Sequence, residues 1–269
     1  MLIGNKEFDF ENEAYIMGIL NVTPDSFSDG GKWNTLENAV AHAKDMIEEG
    51  AAIIDVGGES TRPGYTVISN EEEINRVVPV IKAIKEKFDV AVSIDSYKSE
   101  VVEAAIKAGA DLVNDIWGLK KDPKMAAVVA KYNKPVCLMH NRKEAKYDNF
   151  FEDYLNDMKQ SIDIALKAGI SKENIMLDPG VGFAKSLEQN LEVTNKLEAL
   201  KELGYPVLLA TSRKSMIGLT LNLDKDQRLE GTIATTVIGA MKGARIFRVH
   251  DVKENKRALD MTMAIERCK

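Results

Sequence analysis

Cysteine is nearly absent: Cys137 and Cys268 are the only two among 269 residues. No C-x-x-C spacing occurs, so neither a disulfide framework nor a cysteine-based zinc site is supported. Nowhere do 18 apolar residues run unbroken, and no membrane span is expected. Residues 1–13 lack a basic stretch followed by a long apolar one, so no signal peptide is expected. With so few thiols, a reducing, cytoplasmic location is the simplest reading. The glycines form neither G-x-G-x-x-G nor G-x-x-x-x-G-K-[ST], which leaves dinucleotide and P-loop readings without support. No linker rich in Gly, Pro or Ser divides the chain, so residues 1–269 read as one domain. The net charge of −6 argues against non-specific binding to nucleic acid. It says nothing against a small anionic substrate, because local charge decides that.

What is present is alternation. Short apolar runs read as strands at 15–22, 52–56, 90–94, 111–113, 136–139, 175–177, 207–210 and 245–249. Between them lie segments of helical period. Leu36, Val40, Ala43 and Ile47 mark a helix over 35–49; others are expected over 70–87, 188–203 and 229–241. Gly50, Gly109, Gly169, Gly204 and Gly243 each close a helical pattern shortly before a strand, the signature of a helix C-cap. Eight strand–helix units of similar size predict an α/β protein with a single (β/α)8 TIM barrel. A doubly wound open sheet would make the same alternation, but polar residues after all eight strands favour closure. Residues 1–13 are expected to form a short N-terminal hairpin capping the barrel bottom, and 216–223 to be an extra piece after strand seven.

In such barrels the active site lies where strands end, and here strands end in chemistry. Thr211-Ser212-Arg213-Lys214-Ser215 places two cations and hydroxyls after an apolar run, costly in a core but natural beside an anion. Asn21 opens a long polar loop containing Phe27, and Thr61, Arg62 and Pro63 sit in a Gly-flanked loop. Asp95, Asn114 and Asp178 can present carboxylate and amide groups to one polar heterocycle such as a 2-amino-pyrimidinone. The run from Asp178 to Phe183 adds close backbone approach and an aromatic wall. Arg248 and His250, after strand eight, suit phosphate or pyrophosphate. His140 is open between a pocket role and a supporting one; His42 reads as surface or packing, and Trp33 and Trp117 as packing.

These segments, in this order, resemble the dihydropteroate synthase family: 17–31, 55–64, 93–96, 114–116, 138–140, 178–183, 212–215 and 248–251. They span almost the whole chain. The resemblance implies a bacterial-type folate enzyme that condenses 6-hydroxymethyl-7,8-dihydropterin pyrophosphate with 4-aminobenzoate, with sulfonamides competing for the second substrate. It implies that Asp95, Asn114, Asp178 and Lys214 hold the pterin, with Ile116 and Met139 lining its slot. Asn21, Arg62, Arg248 and His250 would face the pyrophosphate, with Mg2+ near Asn21. Phe27, Thr61, Arg62, Pro63, Phe183, Lys214 and Ser215 would border 4-aminobenzoate. Lys214, Arg62, Asp95, Arg248 and His250 are then the expected catalytic set, in a homodimer. Asn141-Arg142-Lys143-Glu144 departs from the Met-Arg-Gly-x-Pro-like run of many members, which leaves that loop's contacts open. The nearest alternative in a similar barrel is a methyl-tetrahydrofolate methyltransferase domain, which has no need of the Thr61-Arg62-Pro63 loop. A pterin-binding paralogue without turnover is the other.

Overall fold

Eight parallel strands close into a barrel in the order β10-β3-β4-β5-β6-β7-β8-β9. They are β3 (Tyr15–Asn21), β4 (Ala51–Gly57), β5 (Ala91–Asp95), β6 (Leu112–Asp115), β7 (Val136–Met139), β8 (Ile175–Asp178), β9 (Val207–Leu209) and β10 (Ala244–Val249). This computed structural model describes residues 1–23, 32–59 and 67–268, with the backbone alone for 32–35. Closure is made by β10 against β3, with Arg248 opposite Met17 and Val249 opposite Gly18. That pairing rules out the open sheet. The loop residues Phe27, Thr61, Arg62 and Pro63 lie outside the described residues.

Alternation along each strand builds the interior in layers. Met17, Ile53, Ala91, Leu112, Cys137, Met176, Leu208 and Ile246, one from each strand, form one buried apolar cluster. Ile3 and Phe8 belong to the same cluster. They come from the N-terminal hairpin, β1 (Leu2–Ile3) and β2 (Lys6–Glu7), which is antiparallel and plugs the bottom as the sequence predicts. The residues between these inward positions, such as Ile54, Val92, Leu138 and Leu177, pack outward in the larger core under the helices. Two residues further along the inward face, the chemistry changes: Asp55, Ser93, Asn114, Asp178 and Arg248 are buried or nearly so. The floor of the site is thus set by strand parity.

The helices are α1 (Lys32–Glu48), α2 (Asn70–Lys87), α3 (Ser99–Ala108), α4 (Met125–Lys131), α5 (Phe150–Lys167), α6 (Leu187–Asn195), α7 (Leu197–Lys201), α8 (Ser215–Leu221), α9 (Leu229–Met241) and α10 (Val252–Arg267). Helix α2 starts where Ser69 accepts a hydrogen bond from the Glu72 amide at 3.1 Å, beside three glutamates that favour the positive helix end. The five glycines assigned to helix ends all adopt positive φ, from 85° to 116°. Two segments differ from expectation. The helix expected over 188–203 breaks at Lys196 into α6 and α7, after Val193-Thr194-Asn195, a run of weak helix formers. The fourth strand starts at Leu112 rather than Asp111, whose carboxylate instead accepts from the Val92 amide and pairs with Lys85 at 2.8 Å.

Candidate functional site

At the C-terminal mouth, Arg248 bridges two acids. Its Nε donates to Asp55 Oδ2 and its guanidinium Nη2 to Asp95 Oδ2, both at 2.6 Å. Asn114 donates to the same Asp55 oxygen at 3.2 Å. β10, β4, β5 and β6 are therefore cross-linked through Arg248 and Asp55, the second a residue whose role the sequence did not disclose. Its parity with inward-facing Ile53 was the available signal. The second oxygens of Asp55 and Asp95 and the Ser93 hydroxyl are buried with no hydrogen-bond partner among the described residues. Burial raises the Asp95 carboxyl to about 7; Arg248 opposes that rise and Asp55 adds to it. Arg248 is held firmly cationic by the two acids despite its burial.

Asp178 ends β8 on the other side. One of its oxygens accepts the Gly180 amide at 2.6 Å, and burial raises its pKa against the pull of Lys214. Lys214 follows β9, donates to the Val181 carbonyl at 2.5 Å and lies 5.0 Å from the centre of the Phe183 ring. Desolvation lowers its ammonium to about 8, with Asp178 resisting. Above the polar floor, Tyr97, Ile116 and Met139 form a separate small apolar cluster with Trp117 and Phe183 packed on it. The expected slot residues Ile116, Met139 and Phe183 thus meet. Tyr97 and Trp117 join them, although sequence reading gave Trp117 packing alone.

Three residues behave otherwise than their motifs suggest. The Arg213-Lys214 pair is split: Arg213 has φ +56 and pairs with Asp251, its Nε to Oδ2 at 2.9 Å. Lys214 alone of the two reaches the mouth. His140 is fully buried between β7 and α5, with Nε2 3.0 Å from Asp157 and Nδ1 2.8 Å from Lys185. It supports the site from behind. Ser215 is the exposed first residue of α8. His250 sits where β10 ends, its Nδ1 2.9 Å from the Ser212 hydroxyl, and burial lowers its pKa to about 3. It is a neutral imidazole at physiological pH. The Ser212 oxygen accepts the His250 amide; in the tautomer in which the hydroxyl gives its proton to Nδ1, the ring's own proton is on Nε2.

Asn21 closes β3 in register with Gly57, which pairs in turn with Asp95. A Cβ at Gly57 would lie 3.6 Å from Asp95 Oδ2 and 3.7 Å from Asn21 Oδ1, so these two oxygens face one gap. At the outer rim, Lys98 pairs with Glu59 and Glu73, each at 2.7 Å, and Glu59 also accepts from Tyr97 and from the Ile68 amide. This buried cluster ties 59 to 68 and was not visible in the sequence.

The family model described as "Pterin binding enzyme" matches residues 17–250, from the first barrel strand through His250. A curated dihydropteroate synthase of Clostridium beijerinckii is 66% identical over 99% of this chain and 100% of its own length. The chain belongs to the pterin-binding enzyme family, among its dihydropteroate synthases. Two solved structures of dihydropteroate synthases agree with the barrel. That from Clostridium difficile, in the presence of pteroic acid, is 55% identical with a TM-score of 0.95, covering 97% of this chain and 100% of that one. That from Xanthomonas albilineans, with 4-aminobenzoic acid, is 42% identical with a TM-score of 0.92, covering 96% and 95%. As a dihydropteroate synthase the chain is an enzyme, a transferase. The matched stretch contains every described residue of the mouth, from Asn21 to His250.

Proposed function

We propose that the chain joins 6-hydroxymethyl-7,8-dihydropterin pyrophosphate to 4-aminobenzoate, forming 7,8-dihydropteroate and releasing pyrophosphate. The observation that carries this reading is an apolar cluster of Ile116, Met139 and Phe183 at the same barrel mouth as Asp95, Asn114 and Asp178, with Lys214 against Phe183 and Arg248 against Asp95. A flat, polar-edged heterocycle fits such a mouth: its faces meet apolar side chains and its N–H groups meet carboxylates. The unpartnered Asp95 oxygen supports this, since a buried acceptor without a donor is costly until a ligand supplies one. Relatives solved in the presence of pteroic acid and with 4-aminobenzoic acid support both substrate classes.

The reaction is a displacement at the pterin methylene. The C–O bond breaks with its electron pair leaving on pyrophosphate, the amine lone pair forms the C–N bond, and the amine proton leaves to solvent or pyrophosphate. The amine is a weak nucleophile, so help given to the leaving group matters most and the displacement is dissociative, with the dihydropterin spreading the developing positive charge. Arg248 supplies fixed positive charge where the anion grows, and His250 supplies a neutral N–H donor rather than a second cation. Lys214, between Val181 and Phe183, orients the pterin and borders the second pocket. Ser215, Phe27, Thr61, Arg62 and Pro63 complete that pocket in this reading.

Asn21 and Asp95 suit Mg2+, which takes hard oxygen donors and often only one or two from the protein when phosphates provide the rest. No group of three or more acidic, His or Cys side chains able to hold a metal occurs among the described residues. When bound, Mg2+ would neutralise charge on the leaving pyrophosphate. The test is pyrophosphate release from the dihydropterin pyrophosphate, with and without Mg2+ and 4-aminobenzoate. Release coupled to dihydropteroate formation is expected. Binding without coupled product would make the chain a pterin-binding paralogue and end this reading.

The same reading includes a homodimer in the cytoplasm. Ile238 and Met241 on α9, with Met261 and Ile265 on the adjacent α10, are exposed by 45% to 67%. Four large apolar side chains on one pair of packed helices make the kind of patch that marks an interface. Combining Met241→Lys with Ile265→Glu is expected to convert a dimer to a monomer in sedimentation velocity; an unchanged mass would place the interface elsewhere.

A further inference from the structure

Behind the mouth lies a half-buried lysine that the displacement does not use. Lys185 Nζ donates to His140 Nδ1 at 2.8 Å, to the Gly180 carbonyl at 3.0 Å and to the Phe183 carbonyl at 3.1 Å. All three donors of the ammonium are thereby used. His140 is held in turn by Asp157, and Asp157 by Arg142 Nε at 2.5 Å. We propose that Lys185 is a positioning residue for pterin binding, which staples the loop carrying Asp178 and Phe183 to the end of β7 through His140.

The loop between these residues has little freedom of its own. Gly180 has φ +67, and a Cβ there would come within 2.0 Å of the His140 carbonyl oxygen, so loop and strand end are already in close contact. The Gly180 amide bonds Asp178 and its carbonyl bonds Lys185. A shift of Lys185 therefore moves Gly180, whose amide orients the Asp178 carboxylate. From the far side, Phe183 accepts the same ammonium through its carbonyl while its ring stacks under Lys214. One side chain thus fixes both the acceptor edge and the aromatic wall; desolvation lowers its ammonium to about 7, so the full three-donor staple holds below that pH and loosens above it. His140 serves this role only while neutral, and burial lowers its pKa to about 4, so its Nδ1 accepts throughout the physiological range.

This inference rests on the pterin reading, and the test separates the two. Binding of pteroic acid is measured by calorimetry for wild type, Lys185→Met, His140→Leu, the double variant and His140→Asn, alongside the thermal midpoint of each. Wild-type binding with coupled synthase turnover supports the reading itself; its absence overturns both. Lys185→Met and His140→Leu should each weaken pteroic acid at least about 10-fold. The double variant should be no weaker than the worse single one, because both break one staple. His140→Asn, whose amide oxygen can occupy the Nδ1 position, should keep affinity within about threefold of wild type. Additive losses, or full affinity in Lys185→Met, would overturn the proposal. A merely structural lysine would lower the melting midpoint and the active fraction while leaving the affinity of folded protein unchanged.

Discussion

Arg248→Met is expected to destabilise the chain by about 3–5 kcal/mol, more at alkaline than at acidic pH. Arg248 is the only cation hydrogen-bonded to Asp55 and Asp95 among the described residues, and both acids are buried. Methionine fills similar volume, so packing loss is small and the effect isolates charge. For a chain of this length the loss corresponds to a drop of about 10 °C in melting temperature. The sign with pH follows from Asp95, whose carboxyl is raised from 3.8 to about 7. An acid raised on folding gives stability that is fully present below its unfolded pKa and lost as pH rises through its folded pKa. Arg248 opposes the rise, so removing it lifts the folded value further and extends the loss to higher pH. At about pH 5.5 Asp95 is protonated with or without Arg248, and this part of the deficit disappears. His140 and His250, lowered to about 4 and about 3, act in the opposite sense: they gain stability as pH rises through the ordinary histidine range. His140 is common to both proteins and cancels in the difference between the melting curves, whereas His250 is lowered in part by Arg248, so removing the arginine lets it hold its proton more readily and shrinks the deficit at low pH as well. A variant melting with wild type at about pH 8.5 would show that the bridge contributes nothing net.

The barrel was legible because parity and helix ends write themselves into sequence. Leu112 and Asn114, or Ile246 and Arg248, stand two apart on one strand, and the step from apolar to polar along each inward face marks the floor of the site. The strand end Asp178 was readable for the same reason. Parity fails once a strand stops. Nothing in Thr211-Ser212-Arg213-Lys214 says that Arg213 takes a left-handed backbone and turns to Asp251 while Lys214 turns to the mouth. His140 lies one residue past β7, where alternation no longer tells inside from outside, and its partners Asp157 and Lys185 are 17 and 45 residues away in sequence. Asp55 was within reach of parity but is hidden by its neighbours: in Ile53-Ile54-Asp55-Val56 an acid with a distant arginine partner looks like a strand interrupted. The Arg248 partner is 193 residues away.

Lys214→Met is expected to lower kcat/KM by at least about 100-fold, near 3 kcal/mol at about 1.4 kcal/mol for each factor of ten. The size follows from where the ammonium lies: it faces Asp178 and Asp95 electrostatically and touches the Val181 carbonyl and the Phe183 ring. Losing it leaves the buried Asp178 acid without its strongest cationic neighbour. A more pointed outcome comes from pH. Desolvation lowers Lys214 to about 8, so its charge falls away above that pH. Asp95, near 7, is the stronger acceptor for a pterin N–H once ionised. Wild-type kcat/KM should therefore rise through about 7 and fall above about 8, a narrow bell reporting the free enzyme. Arginine stays charged across that range. Lys214→Arg should start lower, because its bulk meets Gly182, where even the native side chain would come within 3.3 Å of an added Cβ. Its alkaline limb should nevertheless lose the step near 8, leaving only what Lys185, lowered by desolvation to about 7, contributes in both proteins. Titration of the substrates themselves is the same for both proteins and cancels in the ratio of their profiles. If the arginine variant keeps the wild-type limb, the group that titrates near 8 is some other residue, and the cationic role assigned to Lys214 falls with it.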